Sequence, residues 1–183
     1  MFRQLNSVAN LNCTKLTELL RETNHTNLLL SVRDTAALSE LIQILQPFSE
    51  ATDINQGDQY TTIGCVVPTV VCLYNVLTEL MRTVRFNTPV VKALLDSLMS
   101  RFSGIFHNVQ INIGSMSGNP KPYSHIYYLI APVLDPNYGF IWLEEDHPGD
   151  EEVKNSVIEL IIGIVLLCWL LCFFYSTEVK HIY

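Results

Sequence analysis

The sequence predicts an all-α protein, a group of amphipathic helices followed by one helix that is apolar all round. Three stretches carry this prediction. Between Leu38 and Met81, two apolar runs with helical spacing flank a polar connector. Between Val91 and Val109, apolar residues recur at intervals of 4, 3, 4, 3 and 4. Between Leu160 and Thr177, 18 residues pass without a charge.

Taken in order, Phe2 to Glu22 reads as one or two amphipathic helices, with a break at Asn10 to Thr14 where Asn and Thr offer caps. Leu16, Leu19 and Leu20 form an apolar stripe among Glu18, Arg21 and Glu22, and a core-facing stripe is the simplest reading. The same Leu-Thr-Glu-Leu-Leu spacing also occurs in receptor-docking helices. Asn24 to Asn27 is polar and predicts a loop. Leu28 to Leu30 is too short to favour a strand, and Ser31 leads into the next helix, where Arg33 and Asp34 begin a charged face.

That helix places Leu38, Leu41, Ile42, Leu45 and Phe48 on one side. Pro47 predicts a kink or an end, because proline lacks an amide hydrogen and crowds the preceding turn. Asp53 to Asp58 holds Asn, Gly and Asp, which favour a turn. A second helix is expected from Thr61 or Thr62 through Val66, Val70, Leu73, Leu77 and Met81. Arg85 to Pro89 separates it from a third, running from about Pro89 to Asn108. Pro89 suits the first helical turn. The seam Val91, Leu95, Leu98, Phe102, Ile105, Val109 suits a bundle and is too short for a coiled coil. Arg101 and His107 fall on its wet side.

Asn112 to Pro122 is rich in Gly and Pro and predicts a loop. Its Gly114 and Gly118 are not a phosphate loop, since no Lys-Ser/Thr pair follows. Tyr123 to Val133 is aromatic and apolar, Asp135-Pro136 reads as a turn, and Tyr138 to Leu143 follows it. Glu144 to Glu152 contains six acidic residues interrupted by Pro148 and Gly149, and reads as a solvated linker.

Composition narrows the function. The chain has 183 residues, 49% of them hydrophobic, which suffices for one core. Its net charge of −7, with only 11 basic residues, argues against nucleic acid as a partner of this chain alone, because phosphate contact needs clustered Lys and Arg. Arg82 and Arg85 form a small pair, read as a solvated face of one helix. The five cysteines contain no Cys-x-x-Cys, and no His pair sits at zinc spacing. Cys65 and Cys72 lie on an apolar helix and are expected to be buried free thiols. The odd count fits a reducing compartment. Asn12-Cys-Thr14 and Asn24-His-Thr26 match the glycosylation pattern, which matters only in the secretory lumen. Met1 to Arg21 lacks the cationic start and apolar block of a signal peptide. No nucleophile, base and orienting group can be paired, so the chain reads as a non-enzyme with no catalytic, cofactor-binding or metal-binding residue assigned.

Several segments carry a resemblance. Pro47-Phe-Ser-Glu-Ala-Thr52 is followed by Gly57-x-x-Tyr60-Thr-Thr-Ile63 and then by Val66-x-Pro68-x-Val70. Later come Ser100-Arg101-Phe102-x-x-Ile105-Phe106 and Ala131-Pro-Val-Leu-Asp135-Pro136-Asn-Tyr138. In this order they resemble the C-terminal half of hAT (hobo–Activator–Tam3) transposases, the domesticated BED-type zinc-finger proteins above all, over roughly Phe2 to Val157. The resemblance implies the long helical insertion of an RNase-H-like enzyme, with Tyr123 to Val133 as a helix before the Leu-Asp-Pro turn. It implies no catalytic residue here. The BED finger, both early Asp motifs and the C-terminal Glu with its dimerisation block have no counterpart, so the chain reads as a truncated fragment. Basic residues that relatives carry after the proline are replaced by Asn137 and Gly139. The implied role is an interaction or scaffold module, with a longer hAT-like relative or a second copy as partner through helical faces such as the Val91–Val109 seam.

The tail departs from that pattern. Leu160 to Thr177 would be about 27 Å long as a helix, near the roughly 30 Å of a bilayer core. Eleven of its 18 residues are Leu, Ile, Val or Phe. At roughly −0.3 to −0.6 kcal/mol each, they contribute about −3 to −7 kcal/mol towards insertion. The alternative function is therefore a small single-pass membrane protein with a C-terminal anchor. Membrane localisation is expected if this helix inserts, and a nuclear or cytoplasmic one if the family resemblance governs. Acidic residues precede the run and Lys180 and His181 follow it. The abrupt change also fits a translated intron or a frameshifted exon. The expected organisation is an N-terminal helical segment at 1–27, the hAT-like region at 28–143, an acidic linker at 144–156, the apolar helix at 157–177 and a tail at 178–183.

Overall fold

The computed structural model describes residues 2–11, 13–56, 62–112 and 121–179, and every regular element among them is helical. The elements are α1 (Phe2–Ala9), α2 (Cys13–Glu22), a 3₁₀ turn at Thr26–Leu28, α3 (Val32–Asn55), α4 (Ile63–Thr83), α5 (Thr88–Arg101), α6 (Ser103–Asn108), α7 (Tyr127–Leu134), α8 (Ile141–Glu145) and α9 (Glu151–Val179). The all-α class follows from the sequence periodicities.

Helix α4 is the centre. It buries Val67, Val70, Val71, Leu73 and Leu77, and packs against α3, α5 and α7. These residues cover more than one side of the cylinder, as expected of a helix with neighbours all round. Gly64 faces the end of α7 and the Asp135 turn that follows it. A Cβ there would lie 2.9 Å from Asp135 Oδ2 and 3.4 Å from the Ala131 carbonyl oxygen. The seam residues Val91, Leu98, Ile105 and Val109 are buried, with Leu95 and Phe102 partly covered against the same core. That seam is therefore occupied within the chain.

Helix α3 begins with a capping box. Ser31 Oγ accepts from the Asp34 amide at 3.1 Å, and the Ser31 amide donates to Asp34 Oδ2 at 2.9 Å. Pro47 does not end this helix, which continues to Asn55. Proline there leaves only the carbonyl of exposed Gln43 without its helical partner, where water can serve it. Asp53 to Asn55 are accordingly helical rather than part of a turn. Gly57 to Thr61, which hold most of the Gly-x-x-Tyr-Thr-Thr-Ile segment, and 113–120 of the expected loop lie outside the described residues.

The expected third helix is two helices. It breaks at Phe102, whose φ of −110° and ψ of 25° leave the helical region. The cause is tertiary: the Gly104 amide donates to the Pro122 carbonyl at 3.0 Å instead of to its own helix. A Cβ on Gly104 would lie 2.3 Å from that oxygen, so only glycine admits the crossing segment.

Other corrections concern local exposure. Arg85 lies beyond the end of α4, so it shares no helix with Arg82, which pairs with Glu79 at 3.3 Å. Cys65 is buried as expected, but Cys72 is exposed. The α2 stripe is not core, since Leu19 is 58% exposed and Leu16 and Leu20 are only partly covered. Helix α7 starts at Tyr127 rather than Tyr123. Asp135 is a turn former as expected: its Oδ1 accepts from the Asn137 amide and from Asn137 Nδ2, each at 2.9 Å. Arg101 and His107 are exposed.

The connector between α4 and α5 is tied to α3 by one carboxylate. Glu40 accepts from the amides of Arg85 and Phe86 at 2.8 Å and of Asn87 at 3.1 Å. Desolvation pushes its carboxyl up, but these bonds outweigh it and hold the pKa below the ordinary 4.5. A depressed carboxyl pKa stabilises the fold above the unfolded value, and the gain is lost as pH falls through the folded one. Glu40→Ala is therefore expected to melt at a lower temperature than the natural chain at pH 7. The gap should narrow as pH drops below about 4.5, which thermal scans across pH 3–7 would read.

Candidate functional site

The site begins with how α9 leaves the helical body. Its first turn carries Glu151 and Glu152, favourable at a helix N-terminus. Asp150 caps it, its Oδ1 accepting from the Val153 amide at 3.0 Å. Val157 and Ile161 then insert completely into the core, with Ile158 and Val165 partly covered. From Leu166 to Leu171 the covering stops. Leu166, Leu167, Trp169, Leu170 and Leu171 are 43–69% exposed. Cys168 between them is exposed too, and at about 100° of rotation per residue these six consecutive positions point to all sides of the helix. The helix is apolar and bare around its whole circumference there.

The segment before α9 is not a free linker. Helix α8 reaches Glu145, and His147 within the acidic run is 96% covered. The Gly149 amide donates to His147 Nδ1 at 2.9 Å. Nδ1 therefore carries no hydrogen, Nε2 carries it, and Nε2 donates to the Val109 carbonyl at 2.6 Å. Asn75 Nδ2 donates to the Asp146 carbonyl, and Lys154 Nζ donates to the Glu144 carbonyl at 2.9 Å. These bonds fix where α9 starts. The charge-rich sequence hides His147, whose only signal is an isolated imidazole amid acids, next to a Pro-Gly pair.

Among the described residues, two helices are long and apolar enough to cross a membrane by length and composition, Ile63–Thr83 and Glu151–Leu171. They differ in cover. In α4, 44% of the apolar window is buried in the protein, against 11% in α9. Helix α4 already has its apolar partners, and α9 does not.

Two clefts flank α3. A cleft of about 540 Å³ lies between α3, α4 and α5. Three segments that are separate in sequence meet on its wall: Phe48 and Ala51 from one, Val66 and Val70 from the next, Arg101 and Phe102 from the third. Asn55 links two walls, its Nδ2 donating to the Ala51 carbonyl at 2.8 Å and to Thr69 Oγ1 at 3.3 Å. A smaller cleft of about 290 Å³, reached by Cys72, also opens on Glu50, Tyr138 and Asp146. Desolvation, then the carboxylates of Asp146 and Glu50, raise the Cys72 thiol above its ordinary 9.0. It is thus a neutral thiol at pH 7 and a poor nucleophile. Among the described residues, no three His, Cys, Asp or Glu side chains gather to hold a metal ion. The chain matches no family model, and neither curated proteins nor solved structures match it.

Proposed function

We propose that this chain is a membrane-anchored helical interaction module, with α9 crossing the bilayer and α1–α8 held against its surface. One observation carries the reading: the uncovered apolar circumference of α9 from Leu166 to Leu171. In water such a surface is an aggregation liability, and in hydrocarbon it is the ordinary state of a spanning helix. The helical body has the role of a scaffold and not of an enzyme. Its hAT-like segments are read as the remnant of a transposase insertion region without the acids of the catalytic core. The net charge of −7 supports a protein partner, whether a longer relative or a second copy, over DNA.

The test is alkaline carbonate extraction of membranes from cells expressing the full chain and a version ending at Val165. That version keeps Val157 and Ile161, so the helical body retains its α9 contacts. The full chain is expected in the pellet and the shorter one in the supernatant. A full chain that is extracted, or a shorter chain that stays in the pellet, would sink the anchor.

A further inference from the structure

We infer that the cleft between α3, α4 and α5 binds an apolar monocarboxylate, an acid with one charged head and an aliphatic or aromatic body. Its volume of about 540 Å³ suits such a ligand, since small-molecule sites run from about 300 to 1,000 Å³. The walls are mostly apolar, with Phe48, Val70 and Leu94 from three different helices. Asn55 on the wall is satisfied internally, because its Nδ2 donates to the Ala51 carbonyl and to Thr69 Oγ1.

Among the described residues, one charged side chain lines the cleft. Arg101 is exposed, and among the described residues it has no hydrogen bond or ion pair. Among the described residues, no carboxylate lines the cleft with it. On a chain of net charge −7, a mostly apolar cleft lined by a free guanidinium favours an anion. A single planar fork matches the two oxygens of a carboxylate, and its one positive charge equals the one negative charge of a monocarboxylate. The smaller cleft provides the contrast, since Glu50 and Asp146 there repel an acid.

The mouth is also shaped. Tyr123 lines the cleft with φ at 59°, a left-handed conformation that is costly for a bulky residue. Ring contacts hold it there, at 4.9 Å between centroids to Phe102 and 5.6 Å to Tyr128. This sets an aromatic edge beside Arg101 and its neighbour Phe102, where the head and the first atoms of the ligand body would meet.

The experiment uses the full chain in a nonionic detergent with a photoreactive diazirine derivative of dodecanoic acid, and adducts are mapped by peptide mass spectrometry. Dodecanoate and 1-dodecanol serve as competitors, identical in body and different in charge. Adducts are expected on peptides of α3, α4 and α5, displaced by dodecanoate at lower concentration than by dodecanol. Arg101→Gln should raise the probe concentration needed roughly tenfold, as about 1.4 kcal/mol does. Ser97→Phe, at an exposed position on the wall, should block labelling there while leaving any α9 adducts unchanged. Both positions are exposed, and circular dichroism would confirm that each variant is folded. Adducts confined to α9, or cleft labelling indifferent to Arg101→Gln and displaced equally by both competitors, would overturn the assignment.

Discussion

A chain carrying Leu167→Arg together with Leu171→Arg is expected to leave the membrane pellet and appear in the soluble or aggregated fraction. Both positions are bare, at 60% and 69% exposure, so neither substitution disturbs a contact of the helical body. Both lie near the middle of Leu160–Thr177, where a charge costs most. An Arg there opposes insertion by roughly 2.5–3.5 kcal/mol, so two cost about 5–7 kcal/mol. That equals or exceeds the roughly 3–7 kcal/mol that the eleven Leu, Ile, Val and Phe residues supply. A Leu167→Ala, Leu171→Ala pair is the control, since it removes apolar area without adding charge and should remain in the pellet. Retention of the double Arg chain at the level of the natural one would show that something other than α9 holds it.

The second large effect falls on stability. His147→Ala leaves the buried Val109 carbonyl and the Gly149 amide without their partners, and opens space where the imidazole stood. An orphaned buried group costs about 1–3 kcal/mol, so the loss should reach roughly 2–5 kcal/mol once the void is included. His147→Phe refills the volume without restoring either bond, and is expected to recover only the part due to the void. Urea unfolding of the three chains gives the comparison. Amide exchange at Gly149 gives a local readout, since its protection depends on the Nδ1 acceptor. If His147→Phe matches the natural chain, packing and not hydrogen bonding holds the segment.

Much was legible in the sequence. The apolar spacing of Val91, Leu98, Ile105 and Val109 places them inward, because side chains three and four apart share one helix face whatever the neighbours are. The Asp135 turn was equally local, since the carboxylate bonds to an amide two residues on. The uncharged run after Leu160 already announced a helix without a polar side.

Other features depended on distant partners. Pro47 reads as a helix breaker, yet α3 passes through it, because packing on α4 outweighs one lost backbone bond in a helix of 24 residues. The break at Phe102 comes from Pro122 reaching the Gly104 amide across the fold, a contact that periodicity cannot report. Cys72 looked like a core thiol but sits where α4 faces the smaller cleft.

By itself the sequence determined that this chain is helical, which faces of its helices are apolar, and that one helix has no wet side. Those properties follow from local spacing and side-chain chemistry. Only the tertiary structure decided which apolar surfaces find partners. It covers α4 and the α5–α6 seam, leaves α9 bare from Leu166 to Leu171, and gathers three separate segments around one cleft. The reason is physical: burial is a property of pairs of surfaces, and a sequence pattern specifies only one member of each pair.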